Sequence, residues 1–301
     1  MTGNDIPAIG VPEVMQPGVA RLIAGNGSPM TWWGTNTYLV GQAELAIIDP
    51  GPDDDAQLAA LMAACKGRKI SHIFVTHAHV DHSPLAARLS AQTGAPVLGF
   101  GDPQAGRSIV MQRLAARGVG GGGEGVDHAF APTQLLADGD CISGNGWQLT
   151  AHHTPGHFGN HMCFALPDGA VFSGDHVMGW ASSLVSPPDG DVSDFMASCR
   201  KLAALQPRIL YPGHGAPVLK PQNRISWLLK HRTEREAQIL ASLAQTPLTA
   251  TEITAQLYGD TPWRLRGAAQ RNVFAHLVDL CARNLVASLG EVEPSEKYRL
   301  R

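Results

Sequence analysis

Residues 70–82 read Ile-Ser-His-Ile-Phe-Val-Thr-His-Ala-His-Val-Asp-His, an apolar, β-branched run that passes directly into three histidines and an aspartate. The apolar part predicts a buried strand over 70–75. The polar cluster, His77, His79, Asp81 and His82, then falls where that strand leaves the edge of a sheet. Crowded imidazoles need hydrogen-bonding partners in a core and gain little on a surface, so neither packing nor solvation accounts well for the run. In extended backbone His77 and His79 project to the same side, which suits two nitrogens on one cation. Asp81 and His82, past a turn, can face a second cation beside it. Neutral imidazole with carboxylate oxygen is a donor set suited to zinc, and also to iron or manganese.

Three further motifs repeat this placement: Thr-Pro-Gly-His at 154–157, Phe-Ser-Gly-Asp at 172–175 and Tyr-Pro-Gly-His-Gly at 211–215. They offer His157, Asp175 and His214. Each sits just beyond a strand-like segment, with glycine or proline turning the chain. A lone histidine after glycine is usually an ordinary loop residue; several in series at strand ends describe a site.

On these motifs the chain resembles the metallo-β-lactamase superfamily and its dinuclear hydrolases, over roughly residues 20–220. The resemblance implies His77, His79 and His157 as ligands of one metal and Asp81, His82 and His214 as ligands of the other. Asp175 matches the carboxylate bridging both. Gly-Thr-Asn-Thr-Tyr-Leu-Val at 34–40 and Ile-Ile-Asp-Pro-Gly at 47–51 resemble the family's first strands, where Asp49 is similar to a carboxylate that holds a metal-binding histidine. His161 is similar to a family histidine and is expected to hydrogen-bond behind the ligands, since seven ligands already fill two sites. Trp32 and Trp33 stand where relatives often line the substrate groove, with packing accounting for at least one of them, and Trp180, soon after the bridging aspartate, is expected to form another wall of the pocket.

A chain of 301 residues predicts one large domain and a small one, divided here as 1–222 and 223–301. Hydrophobic content of 44% with 16% charged residues describes a globular protein with a true core. The net charge of −3 gives no reason to expect tight binding to polyanions. Five cysteines, with no Cys-x-x-Cys pair, imply no disulfide framework, and reduced thiols in a cytoplasmic protein are the default. No signal-peptide pattern and no apolar run of spanning length is seen, so no membrane association is expected. Strands near 134–136, 147–152, 162–166 and 170–172, with helices at 55–66, 82–93, 103–117 and 192–204, suggest an α/β fold: an αββα sandwich of two mixed sheets with helices outside. The glycine cluster at 118–125 reads as a linker loop before it reads as a flap over the site.

After Pro221 the character changes. Residues 223–244 form one amphipathic helical pattern with Ile225, Leu228, Leu229, Ile239 and Leu240 on its apolar face. Thr249 to Glu252 is a capping box opening a second helix, and Leu265–Asn284 reads as a third. Short strands at 285–289 and 297–301 complete the order of a winged helix. The segment resembles the C-terminal domain of a superfamily branch that includes β-lactamase-like protein 2, an endoribonuclease acting on single strands. Residues 223–301 hold eleven Lys or Arg against eight Asp or Glu, leaving twelve against eighteen in the first 222. A nucleic-acid reader is expected to be far more basic, so packing or subunit contact, including a homo-oligomer, is the expectation for this unit.

The resemblance implies two zinc ions per chain and a hydrolase in which Asp81 and Asp175 are catalytic. Two cations about 3.5–4 Å apart can hold a hydroxide and polarise the electrophile. The implied substrates are a small-molecule ester, thioester or lactone, or a phosphodiester in single-stranded RNA. A mononuclear iron persulfide dioxygenase shares the same heptapeptide, and a binding or regulatory protein with structural metals is the non-enzymatic alternative.

Overall fold

The computed structural model describes residues 7–119 and 125–301. Four antiparallel strands open the chain: β1 (Glu13–Gln16), β2 (Val19–Ile23), β3 (Asn36–Val40) and β4 (Glu44–Ile48). Helix α1 (Asp55–Cys65) crosses to β5 (Lys69–Phe74), and α2 (Leu85–Thr93) to β6 (Val97–Gly99). Helix α3 (Ile109–Ala116) precedes the short β7 (Gln134–Leu135). Together β1 to β7 form one sheet in chain order, antiparallel through β4 and parallel from β4 to β7. The second sheet contains β8 (Cys141–Gly144), β9 (Trp147–His153), β10 (Met162–Ala165) and β11 (Ala170–Gly174). After α4 (Val192–Ala204), β12 (Ile209–Pro212) joins the far edge parallel to β11.

Burial on both faces of these strands explains their near-continuous apolar sequences. In β4, Ala46 and Ile48 point between the sheets, with Tyr38, Phe74, Phe164, Phe172 and Tyr211. Leu45 and Ile47 point outward, under Leu58 and Leu61 of α1 and Leu85 and Leu89 of α2. On the opposite face, Val171 and Leu210 pack beneath Phe195, Cys199 and Leu202 of α4. Two mixed sheets with helices outside are the αββα sandwich.

Several boundaries differ from the sequence expectation. Helix α3 starts at Ile109 and not at 103, because Ser108 caps it by accepting the Met111 N–H and Gly106 just before it lies at φ +73°. Helix α2 starts at Leu85 rather than 82, because His82 and Ser83 form a turn bonded back to the His79 carbonyl. Of the glycine cluster, residues 120–124 lie outside the described residues.

The C-terminal unit begins with α5 (Pro221–Leu243), whose first half buries Ile225 and Leu228 on the sandwich beside α4. Its second half buries Ile239 and Leu243 in a separate core with α6 (Ala250–Leu257) and α7 (Trp263–Ala282). Thr249 and Glu252 form the reciprocal capping box of α6. A small sheet closes the unit, with β15 (Lys297–Leu300) central between β13 (Leu248–Thr249) and β14 (Val286–Ser288). Met111 and Leu114 of α3 insert into this core, so the two units share packing at two places. Three helices with a small sheet make the winged helix. Among the described residues no helix is long and apolar enough to cross a membrane.

Candidate metal centre

The parallel pair β4 and β5 places Ile48 beside Phe74, so the residues that follow each strand emerge together. Asp49 turns at φ +49°, unusual outside glycine, asparagine and aspartate, and is almost wholly buried. Its Oδ1 accepts the Thr76 N–H at 2.7 Å, and its Oδ2 accepts the Thr76 hydroxyl at 2.7 Å. Oδ2 also lies 2.9 Å from His82 Nδ1. The Thr76 hydroxyl, having donated to Asp49, accepts from His77 Nδ1 at 2.9 Å. His157 Nδ1 donates to the Leu184 carbonyl at 2.7 Å, and His214 Nδ1 to the Gly34 carbonyl at 3.2 Å.

This network fixes tautomers: four rings have Nδ1 occupied and present a bare Nε2 lone pair inward. The inward atoms converge. His77 Nε2 lies 2.9 Å and His157 Nε2 3.2 Å from His79 Nδ1. His82 Nε2 faces His214 Nε2 at 3.4 Å, with Asp81 Oδ2 at 3.3 Å from the first ring and 3.2 Å from the second. Asp175 lies between the two groups, 3.2 Å from His214, 3.6 Å from His82 and 3.8 Å from His157. Lone pairs that face one another repel unless a cation sits among them. His77, His79 and His157 make one cation-sized set and Asp81, His82 and His214 another, with Asp175 grouped with His77 and His82. Asp175 Oδ1, buried at the centre, has no hydrogen-bond partner. The donor set therefore fits two metal ions.

The electrostatics agree. Burial pushes the His79 imidazole down to about 3, with His157 adding to the effect, and lowers His77 and His157 as well, so these rings are neutral and ready to ligate. Burial also opposes charge on His214, but Asp175 and Asp81 outweigh it and raise its pKa to about 10. His82 is raised in the same way against burial by Asp81, Asp175 and Asp49. Both carboxylates resist burial and stay well below the usual range because His82 and His214 face them. The buried carboxylates thus demand positive charge, which divalent cations supply with every ring neutral.

Backbone fit is equally tight. A Cβ on Gly213 would lie 2.3 Å from Asp175 Oδ1 and 2.7 Å from His82 Cε1. Gly174 lies at φ +47°, and a Cβ there would approach His161 Nε2 to 2.6 Å. Only glycine lets both loops close on the site.

His161 joins none of the cation-sized sets; its Nδ1 bonds Thr154 Oγ1 at 2.9 Å and its ring packs 5.2 Å from that of His77. Trp180 lines the cavity above the cluster, and the Trp32 ring packs against it, tilted by 34° with centroids 4.9 Å apart. Trp33 does not line that cavity and sits instead near the Arg21 guanidinium, 5.8 Å from its ring. Sequence reasoning missed Thr76, the Leu184 and Gly34 carbonyls, and Thr35, whose hydroxyl donates to Asp81 Oδ2 at 2.9 Å. Of these, only Thr76, next to the heptapeptide histidines, carried a local signal. The cavity measures about 580 Å³, with His79, Asp81, His157, Asp175 and His214 at its floor. Gly125, the end of the glycine cluster, reaches its wall.

A double sandwich with paired cation sets at its strand ends defines a metallo-β-lactamase fold, and the chain belongs to that superfamily, which residues 30–214 match. Residues 249–294 match the beta-lactamase associated winged helix domain. Among curated proteins the chain is 31% identical to the Beta-lactamase-like protein 2 homolog of Drosophila melanogaster, over 87% of each. It is 33% identical to the Atrochrysone carboxyl ACP thioesterase of Aspergillus fumigatus, over 80% of this chain and 69% of that one. A metallo-beta-lactamase family protein from Thermus thermophilus superposes with a TM-score of 0.76 at 26% identity, covering 96% of this chain and all of that one. A beta-lactamase domain protein from Burkholderia ambifaria superposes at 0.80 over 99% of this chain and 96% of that one. Its 21% identity speaks for the fold alone.

Proposed function

We propose that the protein is a two-zinc hydrolase that cleaves a thioester. The observation that carries this reading is the convergent seven-residue donor set, of which His79, Asp81, His157, Asp175 and His214 form the floor of a largely apolar cavity. The thioesterase among its relatives supports the choice of bond.

His77, His79 and His157 would hold one ion, Asp81, His82 and His214 the other, and Asp175 both. Ions so held supply a water acidified toward neutral pH and a Lewis acid for the carbonyl oxygen. Asp49 and Thr76 keep His82 and His77 in the ligating tautomer. Thr35 fixes Asp81 through Oδ2, leaving Oδ1 to orient the attacking water and accept its proton. Water oxygen adds to the acyl carbon and the C–S bond breaks. The sulfur leaves with the electron pair and takes up the proton, giving a carboxylic acid and a thiol. Met30, Met178 and Leu184 line the cavity and exclude bulk water around the acyl carbon.

Single-stranded RNA is the second reading, and the cavity disfavours it. Arg271 is the only lysine or arginine among the described lining residues, whereas phosphate binding strengthens with each charge neutralised. Burial and neighbouring arginines also hold His231, which lines the wall, toward its neutral form. The test is a panel of acyl thioesters, lactones and single-stranded RNA, each assayed with and without a chelator. Chelator-sensitive release of thiol is expected; turnover confined to RNA would replace this reading with the nuclease.

A further inference from the structure

The cavity over the metal cluster has two walls of different origin. Pro29, Met30 and Thr31, with Met178, Trp180 and Leu184, form the wall from the sandwich. The other comes from the C-terminal unit: His231 on α5, Tyr258 and Thr261 in the turn before α7, and Leu265, Ala268 and Ala269 on α7 itself. Spacing of three and four residues puts those α7 positions on one helical face. Two alanines in its middle leave the space that larger side chains would fill.

This wall is fixed relative to the cluster. Buried Arg232 of α5 donates to Asn272 Oδ1 on α7 at 2.9 Å and to the Ser183 carbonyl. Asn272 Oδ1 also accepts the Val185 N–H at 3.1 Å. Both contacts flank Leu184, whose carbonyl orients His157. Arg266 holds the Gly259 and Thr261 carbonyls, each at 3.2 Å, and Arg235 lies over the Tyr258 ring at 4.1 Å. A clamp from α7 therefore runs directly to a ring of the metal site. At the floor, His79, Asp81, His157, Asp175 and His214 of the donor set mark the end of the cavity at which the reacting group of a ligand arrives.

We propose that the C-terminal unit sets acyl specificity: the α7 face of Leu265, Ala268 and Ala269, with Tyr258, receives an apolar acyl chain whose carbonyl meets the metal cluster. The inference rests on the thioester reading and adds which residues choose the acyl group. An aliphatic chain matches the face of Leu265, Ala268 and Ala269 because those side chains are hydrocarbon and burying methylenes against them favours binding, while the polar Arg271 and Asn272 follow on the same helix. The volume lies within the range of sites that enclose small molecules.

The test uses the full-length, metal-loaded protein with Ala268→Phe and, as the milder change, Ala268→Leu. Two quantities are read: the kcat/KM ratio for decanoyl over acetyl thioesters of N-acetylcysteamine, and calorimetric binding of decanoate. The expected result is a fall of at least tenfold in the ratio for Ala268→Phe and a smaller fall for Ala268→Leu, with decanoate affinity weakened in the same order. A ratio and affinity within twofold of the parent in both variants would overturn the proposal, as would thioester turnover with no decanoate binding by the parent. Decanoate binding sensitive to position 268 in a protein that cleaves no thioester would sustain the acyl wall and overturn the reaction. Neither binding nor turnover would overturn both.

Discussion

Asp49 concentrates the chemistry of the site in one side chain that touches no substrate. It sits at a positive φ that aspartate tolerates, takes two bonds from Thr76, and orients His82. Removing its charge while keeping its shape should weaken metal affinity by about 10- to 100-fold, the usual cost of losing a carboxylate behind a histidine ligand. Asp49→Asn, titrated against a chelating dye, reads this directly; an unchanged affinity would deny Asp49 that role. His276 on α7 makes a different prediction. It is fully buried, both ring nitrogens lack partners, and burial together with Arg232, Arg235, His231 and Arg283 holds its pKa well below 6.5. The folded chain keeps it neutral while the unfolded chain protonates it near 6.5, so its contribution to stability is complete above that pH and is lost as pH falls. His276→Leu should flatten the acid-side slope of unfolding free energy by up to about 1.4 kcal/mol per pH unit below the ordinary histidine pKa. Urea midpoints at about pH 7.5, 6 and 5 check it, and parallel slopes for parent and variant would contradict it.

At the scale of elements, strand ends and caps carry the organisation. The capping box of α6 satisfies two free backbone N–H groups at once, and Thr249→Ala should cost about 1 kcal/mol. A fall in the urea midpoint without a change in slope would show it. That helix start is readable because capping chemistry is local. The strands bearing His77, Asp175 and His214 are readable for the same reason, each being an apolar run followed by a glycine- or proline-marked turn or a polar cluster. Sequence pattern starts helices α2 and α3 too early because helix-compatible side chains precede them, while the turn at His82 and the Ser108 cap decide the boundary. The Leu184 and Gly34 carbonyls are not readable at all. Their partners, His157 and His214, lie 27 and 180 residues away, and a backbone carbonyl leaves no trace in a side-chain pattern.

For the whole molecule, the cavity is a product of assembly. The sandwich supplies the cation sets and one wall, and the C-terminal unit supplies the other. Sequence pattern assigns α7 to packing because its Val273, Phe274, Leu277 and Leu280 are core residues, and they are buried as such. Its first half faces the cavity through residues too small to mark a hydrophobic stripe, which is why the second wall is illegible in sequence. Long helix α5 joins both cores, and α3 inserts Met111 and Leu114 into the second. Shared packing of this kind holds the two walls at one spacing. The central claim is that hydrolysis depends on two cations held by the convergent donor set. The most direct measurement is acyl-thioester turnover by chelator-stripped protein during stepwise addition of zinc, with bound metal counted by elemental analysis at each step. The expected result is no turnover in the stripped protein and recovery that levels off at about two ions per chain. Full turnover without metal, or a plateau at one bound ion, would contradict it.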